Sequence, residues 1–281
     1  MVTKITVKDF REMKGGDHKI SMLTAYDASM ARLLDEAKVD ALLVGDSLGM
    51  VVLGYDSTVP VTMEQMLHHA AAVSRGTERS LVIGDMPFGS YQVSIEQTVA
   101  NGVRFLKEAG CDCIKLEGGE EVCDGVRGLV RAGVPVMGHL GLTPQTAGQL
   151  GGFKVQGKDM SAARKLVADA LALETAGAFA IVLECVPGPL AEIITEVVTV
   201  PTIGIGAGAG CDGQVLVTND MLGLFEKFTP GFVKQYMNLA PDIKNAVQTF
   251  TGEIDSNEFP ASEHTFGSKE DFSRLLDEFK S

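Results

Sequence analysis

The sequence has little positive charge. It contains 24 Lys and Arg residues against 37 Asp and Glu residues, which gives a formal net charge of −13 at pH 7. Nucleic acids and anionic membrane surfaces attract clustered positive charge, and no run of basic residues interrupts the acidic background. The charge therefore argues against nucleic acid and against a membrane surface as partners.

Cysteines and long apolar segments are also scarce. The five cysteines are an odd number and form no Cys-x-x-Cys pair, and a chain of this length does not depend on disulfides for stability. No apolar run reaches the roughly 18 residues of a membrane-spanning helix. Residues 1–10 alternate polar and apolar side chains and lack the apolar core of a signal peptide. We therefore expect a cytoplasmic protein in a reducing compartment.

The composition is that of a packed domain with a repeated local pattern. Of the 281 residues, 45% are hydrophobic and 22% are charged, as in globular proteins. A short aliphatic run, a turn rich in Gly or acidic residues, and a stretch with helical spacing recur along the chain. We predict strands at residues 20–25, 41–44, 81–83, 113–116, 135–138, 180–183, 202–205 and 214–217. We predict helices at residues 29–38, 63–75, 95–109, 121–132, 160–176 and 190–197.

This pattern favours an α/β barrel. Strands that are apolar on both faces are typical of a parallel sheet covered by helices, and eight β–α units close a (β/α)8 TIM barrel. We prefer that fold to an open doubly wound sheet, and we assign the single catalytic domain to residues 1–250. The gap between the last two strands is too short for a full helix.

The chain continues past the eighth strand as a helical extension. Helical signals cover residues 229–250, and residues 251–281 form an acidic tail. In that tail Phe272, Leu275, Leu276 and Phe279 fall at helical spacing. We therefore predict a terminal helix that docks through this apolar stripe.

Ionisable residues follow the predicted strands where the strands end. They are Asp46, Asp85, Glu117, His139 and Glu184. The carboxyl ends of barrel strands form the active face, so these side chains are expected to meet. Several carboxylates in one place repel each other unless their pKa values rise or a cation binds.

Mg²⁺ is the cation that suits such a set, because it prefers oxygen ligands and retains water. We predict Asp46 and Asp85 as its ligands, since each follows a glycine that lets the backbone approach closely. Glu117 is the predicted third ligand, either directly or through water. The alternative is that these acids only cap the helices that follow them.

Three further residues have predicted roles in the site. Lys115 and Glu117 are two residues apart in one strand, so they project to the same side, where Lys115 can hold an anionic substrate or merely balance charge. His139 either orients a substrate or is a satisfied core histidine. Glu184 follows a wholly apolar approach, so burial should raise its pKa toward that of a general base; the alternative is a buried acid held by backbone donors.

Two other patterns predict functions that we consider weaker. Residues 204–209 fit the dinucleotide pattern G-x-G-x-x-A, but the glycines that follow make a poor helix start. Cys111, Cys113 and Cys123 suggest zinc, yet their spacing matches no four-ligand site. We interpret them as buried cysteines.

Six segments resemble one known family in sequence and in order. They are VGDSLGM at 44–50, GDMPFGSY at 84–91, KLEGG at 115–119, GHLGLTP at 138–144, ECVP at 184–187 and IGIGAG at 203–208. Through them the chain resembles the 3-methyl-2-oxobutanoate hydroxymethyltransferase family, also called ketopantoate hydroxymethyltransferase, from about residue 3 to residue 250.

The resemblance implies a (β/α)8 barrel in a homodecamer of two pentameric rings, acting in pantothenate and coenzyme A biosynthesis. It implies transfer of a one-carbon unit from 5,10-methylenetetrahydrofolate to C3 of 3-methyl-2-oxobutanoate, giving 2-dehydropantoate and tetrahydrofolate. By motif position, Asp46 and Asp85 resemble the Mg²⁺ ligands, with Glu117 as a third. By the same resemblance, Ser47 and Lys115 are substrate contacts and Glu184 is the proton acceptor. We also predict Asp46, Asp85 and His139 as substrate-binding residues.

Two alternatives remain at this point. One is a Mg²⁺-dependent lyase or mutase that acts on another 2-oxo acid, because barrels host many chemistries on similar carboxylates. The other is a catalytically silent, metal-binding oligomeric scaffold.

Overall fold

A computed structural model describes residues 3–148, 152, 154–273 and 275–280. Eight parallel strands form a closed barrel, in which each strand pairs with the next along the chain and the last pairs with the first. The strands are β1 (Ile20–Thr24), β2 (Ala41–Val44), β3 (Leu81–Asp85), β4 (Cys113–Glu117), β5 (Val136–Gly141), β6 (Ala180–Glu184), β7 (Thr202–Ile205) and β8 (Gly213–Leu216). The predicted (β/α)8 barrel is confirmed, with all eight predicted strands in place.

Helices surround the barrel in the predicted order. They are α1 (Val7–Glu12), α2 (Ala28–Glu36), α3 (Leu48–Val51), α4 (Met63–Gly76), α5 (Ile95–Lys107), α6 (Cys123–Arg131), α7 (Met160–Ala176), α8 (Gly188–Val197), α9 (Thr218–Met221), α10 (Leu239–Asp255) and α11 (Leu275–Phe279). The six predicted helices correspond to α2 and to α4–α8. As expected, β8 follows β7 without an intervening helix.

The barrel interior is polar at the carboxyl ends of the strands and apolar in the layer beneath them. In β3, Leu81 and Ile83 belong to the apolar cluster inside the barrel, and Asp85 is the next residue on that side of the strand. Because side chains alternate across a strand, the same step of two residues leads from Met137 to His139 and from Val182 to Glu184. The polar layer therefore lies at the carboxyl end, directly above the apolar core.

The amino-terminal end of the barrel is closed by α1. The side chain of Phe10 is fully buried and meets the ring of Phe179 edge to face, with 5.8 Å between ring centroids. Thr6 caps α1 by accepting the backbone N–H of Asp9, whose carboxylate accepts the backbone N–H of Thr6. This end is therefore closed by packed side chains, whereas the carboxyl end borders a cavity.

The extension after β8 differs from the prediction. The predicted helix at 229–250 begins ten residues later, at Leu239, and runs to Asp255. Pro241 lies in the first turn of α10, where a missing N–H has no cost, and Pro230 belongs to an irregular segment that lines the barrel mouth. The helix crosses residue 250, and the division of the chain there stays a prediction.

The acidic tail contains a short helix, α11. Phe272, Leu275, Leu276 and Phe279 are between 46% and 84% exposed, so the docking of this stripe stays a prediction. Among the described residues, no helix is both long and apolar enough to cross a membrane.

Candidate active site

The pairing of neighbouring strands brings the predicted residues together. Asp85 is in register with Lys115, Glu117 with His139, and Gly141 with Glu184. Each pair joins adjacent strands at their carboxyl ends. The barrel thus converts residues far apart in sequence into one continuous row of ionisable side chains.

Asp46 and Asp85 form the acidic end of this row. The backbone N–H of Asp46 donates to Asp85 Oδ2 at 3.2 Å, and both side chains are almost fully buried. Burial raises the pKa of Asp46 well above its usual value, and the charges of Asp85 and Glu117 raise it further. Burial also raises the pKa of Asp85, although the charge of Lys115 opposes the change. Two carboxylates that resist ionisation side by side favour a nearby cation.

Lys115 is the cation that the chain itself provides. Its Nζ donates to Asp85 Oδ1 at 2.7 Å and lies 3.9 Å from Glu117 Oε1. Burial lowers the pKa of Lys115, but the charges of Asp85, Glu117 and Asp46 outweigh that effect and raise it. Lys115 is therefore a buried ammonium ion at neutral pH, and no ion pair joins a described cation to Asp46.

His139 links Glu117 to Glu184. Its Nδ1 lies 3.5 Å from Glu117 Oε1 and its Nε2 lies 3.2 Å from Glu184 Oε2. Burial and the charge of Lys115 lower the pKa of His139, but the two carboxylates outweigh them and raise it to about 9. Burial alone would raise the pKa of Glu117, but contacts with His139 and Lys115 outweigh burial and bring the pKa below its usual value. Neither ring nitrogen of His139 makes a well-directed hydrogen bond within the described residues. His139 is therefore not a core histidine whose hydrogen bonds are satisfied.

Glu184 is less buried than its apolar approach suggests. The β6 segment that precedes it is buried, but the Glu184 side chain keeps 16% exposure. It lines a cavity of about 370 Å³ at the carboxyl end of the barrel. We call this space the active-site cavity; its ionisable and hydroxyl lining includes Asp46, Ser47, Asp85, Lys115, Glu117, His139 and Glu184. All seven predicted site residues therefore face one space.

Ser47 faces the cavity through a hydroxyl pair. Its Oγ lies 2.9 Å from the hydroxyl oxygen of Tyr26, a buried residue that follows β1. Ser47 begins α3 without using its side chain as a cap. Beside its contact with Tyr26, the hydroxyl keeps capacity for a further hydrogen bond to a ligand.

Sequence reasoning missed Gln145 and Tyr91. Gln145 Nε2 donates to Asp46 Oδ2 and to the carbonyl of Met86, both at 2.9 Å, and its backbone N–H donates to Glu117 Oε2 at 3.1 Å. The Tyr91 hydroxyl donates to Gln145 Oε1 at 2.6 Å. Both side chains are buried and hold the carboxylates in place. The available signal was position, because Tyr91 ends one of the six segments and Gln145 directly follows another.

A third missed residue is Asp220 in α9. It lines the cavity from the side of β8, and only 7% of the residue is exposed. The sequence signal for the other site residues is their position at the end of a strand. Asp220 lacks that signal, because it comes four residues after the last residue of β8.

The helix-capping alternative fails for the three predicted ligands. The aspartates that cap helices are Asp27 and Asp159, each of which accepts two backbone N–H groups at the start of its helix. Asp46, Asp85 and Glu117 instead accept hydrogen bonds from Gln145, Lys115 and a neighbouring strand end. Their carboxylates are therefore assigned to the cavity and not to local helix stability.

The dinucleotide pattern and the cysteine pattern do not form the sites that they suggest. β7 is followed by a loop and then β8, so residues 204–209 open no phosphate-binding helix. Cys111, Cys113 and Cys123 are buried free thiols. Within the part of the chain that the structure describes, no three His, Cys, Asp or Glu side chains are placed to hold a metal together.

Fold and site define an α/β-barrel enzyme with an acidic active site at the carboxyl end of its strands. A family model described as ketopantoate hydroxymethyltransferase matches residues 4–262. The chain belongs to the ketopantoate hydroxymethyltransferase family.

Curated relatives agree over nearly the whole chain. The 3-methyl-2-oxobutanoate hydroxymethyltransferase of Desulfotalea psychrophila is 64% identical over 271 residues, which cover 96% of this chain and 97% of that protein. The protein of the same name from Syntrophus aciditrophicus is 59% identical over 94% of this chain and 97% of its own length. The resemblance stated from the six segments is thereby confirmed.

Solved structures share the fold at much lower identity. Phosphoenolpyruvate phosphomutase from Streptomyces platensis subsp. rosaceus aligns with a TM-score of 0.62 at 14% identity, covering 98% of this chain and 94% of that one. A 2,3-dimethylmalate lyase of the PEP mutase/isocitrate lyase superfamily aligns with a TM-score of 0.54 at 14% identity, covering 98% and 94%. These likenesses support the barrel alone.

Proposed function

We propose that this chain transfers a hydroxymethyl unit from 5,10-methylenetetrahydrofolate to C3 of 3-methyl-2-oxobutanoate, giving 2-dehydropantoate and tetrahydrofolate in pantothenate biosynthesis. The observation that carries the proposal is the meeting of Asp46, Asp85, Lys115, His139 and Glu184 in one cavity of a chain from this family. These residues supply what removal of a proton beside a ketone needs: an anion-binding group, a base and a site for a cation.

Asp46 and Asp85 suit Mg²⁺. Their carboxylates are buried and adjacent, and Asp46 accepts a hydrogen bond from the amide of Gln145, while the charge of Lys115 acts on it without a direct ion pair. Glu117 is engaged by Gln145, His139 and Lys115, so we assign it to the metal through water. With this assignment few protein groups bind Mg²⁺ directly, and oxygens of water and substrate complete its coordination. When bound, Mg²⁺ supplies a Lewis acid that polarises the ketone of a 2-oxo acid.

Lys115 stabilises negative charge in the cavity. Its Nζ is fixed by Asp85 and Glu117, at 2.7 Å and 3.9 Å from their oxygens. Proton removal from C3 transfers charge to the ketone oxygen, and an ammonium ion in place before the reaction stabilises that enolate more than the neutral ketone. We assign this role and the binding of the substrate anion to Lys115, with Ser47 as a neutral contact.

Glu184 accepts the C3 proton. It lies at the cavity wall with its side chain partly open, where a small substrate can reach it. His139 holds the carboxylate from the adjacent strand. We assign His139 as a positioning residue for Glu184.

The one-carbon unit is then transferred from the folate to the enolate. The C3 enolate forms a carbon–carbon bond to the methylene carbon of the folate, and the bonds from that carbon to the folate nitrogens break. Water supplies the hydroxyl oxygen of the product, and the folate nitrogens take up protons. No electron transfer is involved, so no oxidant or reductant is needed.

Hydrogen exchange tests the proposal without the folate. The protein is incubated with Mg²⁺ and 3-methyl-2-oxobutanoate in deuterated water, and NMR follows deuterium at C3. We expect exchange, and product formation once 5,10-methylenetetrahydrofolate is added. Exchange without folate-dependent product would favour a lyase or mutase acting on 2-oxo acids, and absence of both would indicate the silent scaffold; either result overturns the proposal.

We extend the proposal to a cytoplasmic homodecamer of two pentameric rings. The support from this chain is an apolar stripe on α10 formed by Ile243, Val247, Phe250 and Ile254, each between 46% and 56% exposed. Such a stripe is typical of a helix that packs against another surface. Light scattering should give a mass ten times that of the 29.8 kDa chain.

A further inference from the structure

Asp220 is a buried residue whose carboxylate has no hydrogen-bond or ion-pair partner among the described residues. Only 7% of the residue is exposed, and its side chain lines the active-site cavity. Its carboxylate accepts no hydrogen bond from the described residues. Burial alone raises its pKa to about 6. Because Asp220 lines the cavity, its carboxylate presents an acceptor there that a ligand with N–H donors would satisfy.

The position of Asp220 separates it from Lys115 and Glu117, whereas Asp46 and Ser47 follow β2, only two strands from β8. Asp220 follows β8, and Lys115 and Glu117 lie on β4, which is four strands away in either direction around the eight-stranded barrel. The keto acid is a small anion with no N–H donor, and a carboxylate repels it. The ligand of Asp220 is therefore the other substrate.

An apolar wall lies beside Asp220. The segment that follows α9 contributes Phe225, Phe228 and Phe232 to the lining of the same cavity. Phe228 is 65% exposed and Phe232 is 38% exposed, so flat apolar surface is open to a ligand. Aromatic side chains bind planar heterocycles through their faces and edges.

We propose that Asp220 binds the aminopyrimidinone edge of the pterin ring of the folate substrate, while Phe225, Phe228 and Phe232 contact the ring. This inference rests on the proposed function, which supplies a folate as second substrate. The 2-amino group and the N3–H of the pterin are adjacent donors, and they match the two oxygens of one carboxylate. The one-carbon unit would then enter the cavity from the β8 side, facing the enolate.

Asp220→Asn tests the assignment, because the amide keeps the shape but replaces one acceptor by a donor. Calorimetry measures the affinity of the wild type and the variant for tetrahydrofolate and for tetrahydrofolate that lacks the 2-amino group. For the wild type, we expect loss of the amino group to weaken binding about tenfold to a hundredfold, the range of hydrogen bonds to a charged group. For the variant, the two ligands should bind within about twofold of each other, since the discriminating acceptor is gone.

Steady-state kinetics gives a second readout. In Asp220→Asn the KM for 5,10-methylenetetrahydrofolate should rise about tenfold or more, while the KM for the keto acid changes by less than about twofold. The matched control is Glu226→Gln, which removes the same charge from an exposed residue paired with Lys244 near the aromatic wall. Its folate affinity should equal that of the wild type.

The outcomes separate this inference from the proposed function. If the wild type makes product and the variant discriminates between the two folates as the wild type does, Asp220 has no role in pterin binding. If the wild type makes no product but binds tetrahydrofolate in an Asp220-dependent way, the reaction is wrong and the binding site stands. A wild type that neither turns over nor binds tetrahydrofolate overturns both.

Discussion

His139 Nε2 lies 3.2 Å from Oε2 of Glu184, across the pairing of β5 with β6. Both side chains project from the interior face of their strands above the apolar core. Since the pKa of His139 is raised to about 9 by its two carboxylate neighbours, the imidazolium is charged at neutral pH. The cavity therefore places a positive group beside its proposed base.

The first prediction concerns that base. Glu184→Gln should lower the rate of C3 deuterium exchange by about a hundredfold or more, because a positioned general base contributes that much to proton transfer. Binding of the keto acid, measured by calorimetry in the presence of Mg²⁺, should change little. The control Glu196→Gln alters an exposed acid on α8 and should exchange at the wild-type rate. Undiminished exchange in Glu184→Gln would remove Glu184 from its role.

The second prediction concerns the cation. Asp85→Asn keeps the shape of the side chain but removes one of two adjacent carboxylates, so affinity for Mg²⁺ and turnover should fall together, each by about tenfold or more. Calorimetry with the metal alone gives the affinity, and product formation gives the turnover. Asp124→Asn is the control, since this exposed acid pairs only with Arg127 on α6. Normal metal affinity in Asp85→Asn would show that the ligand assignment is wrong.

Sequence patterns predicted the barrel and most of the site for one physical reason. A closed parallel barrel collects the carboxyl ends of its strands, so acids that follow buried runs must meet, however far apart they are in the chain. The position of each acid after its strand was therefore enough to predict that Asp46, Asp85, Glu117 and Glu184 lie together. The metal and substrate roles assigned to them remain predictions.

The missed residues depend on long-range contacts that no local pattern records. Gln145 reaches Asp46 from a single 3-10 turn after β5, across 99 positions of sequence. Tyr91 meets it from the loop after β3. The start of α10 also differed from the prediction, because residues 230–233 of the predicted helix line the cavity instead.

The third prediction concerns Gln145. Gln145→Ala should raise the Mg²⁺ concentration needed for half-maximal activity by about tenfold to a hundredfold, the usual effect of removing a group that orients a metal ligand. Asp46 would lose the amide that fixes its carboxylate, and the Tyr91 hydroxyl would keep only the carbonyl of Glu117 as an acceptor among the described residues. Saturating Mg²⁺ should restore much of the activity. Gln97→Ala, an exposed change on α5, serves as the control; equal metal dependence in both variants would exclude a role for Gln145 at the site.

The fourth prediction concerns stability in acid, away from the cavity. The Asp35 carboxylate accepts the backbone N–H groups of Glu78, Arg79 and Ser80 and the Ser80 hydroxyl, which ties α2 to the start of β3. Burial raises the pKa of Asp35, but these hydrogen bonds outweigh it and bring the pKa below its usual value. The stabilisation is therefore complete above the unfolded pKa of about 3.9 and is lost as pH falls through the lower folded value.

Asp35→Asn should accordingly reduce the free energy of unfolding by about 1–3 kcal/mol at pH 7. The difference between variant and wild type should shrink below about pH 4, because the wild-type carboxylate then becomes protonated as well. Urea unfolding monitored by circular dichroism at several pH values measures both effects. Asp17→Asn, at an exposed position, should change the free energy of unfolding by less than about 0.5 kcal/mol. A constant difference between Asp35→Asn and wild type down to pH 2 would show that packing, and not the charge-assisted hydrogen bonds, explains the loss.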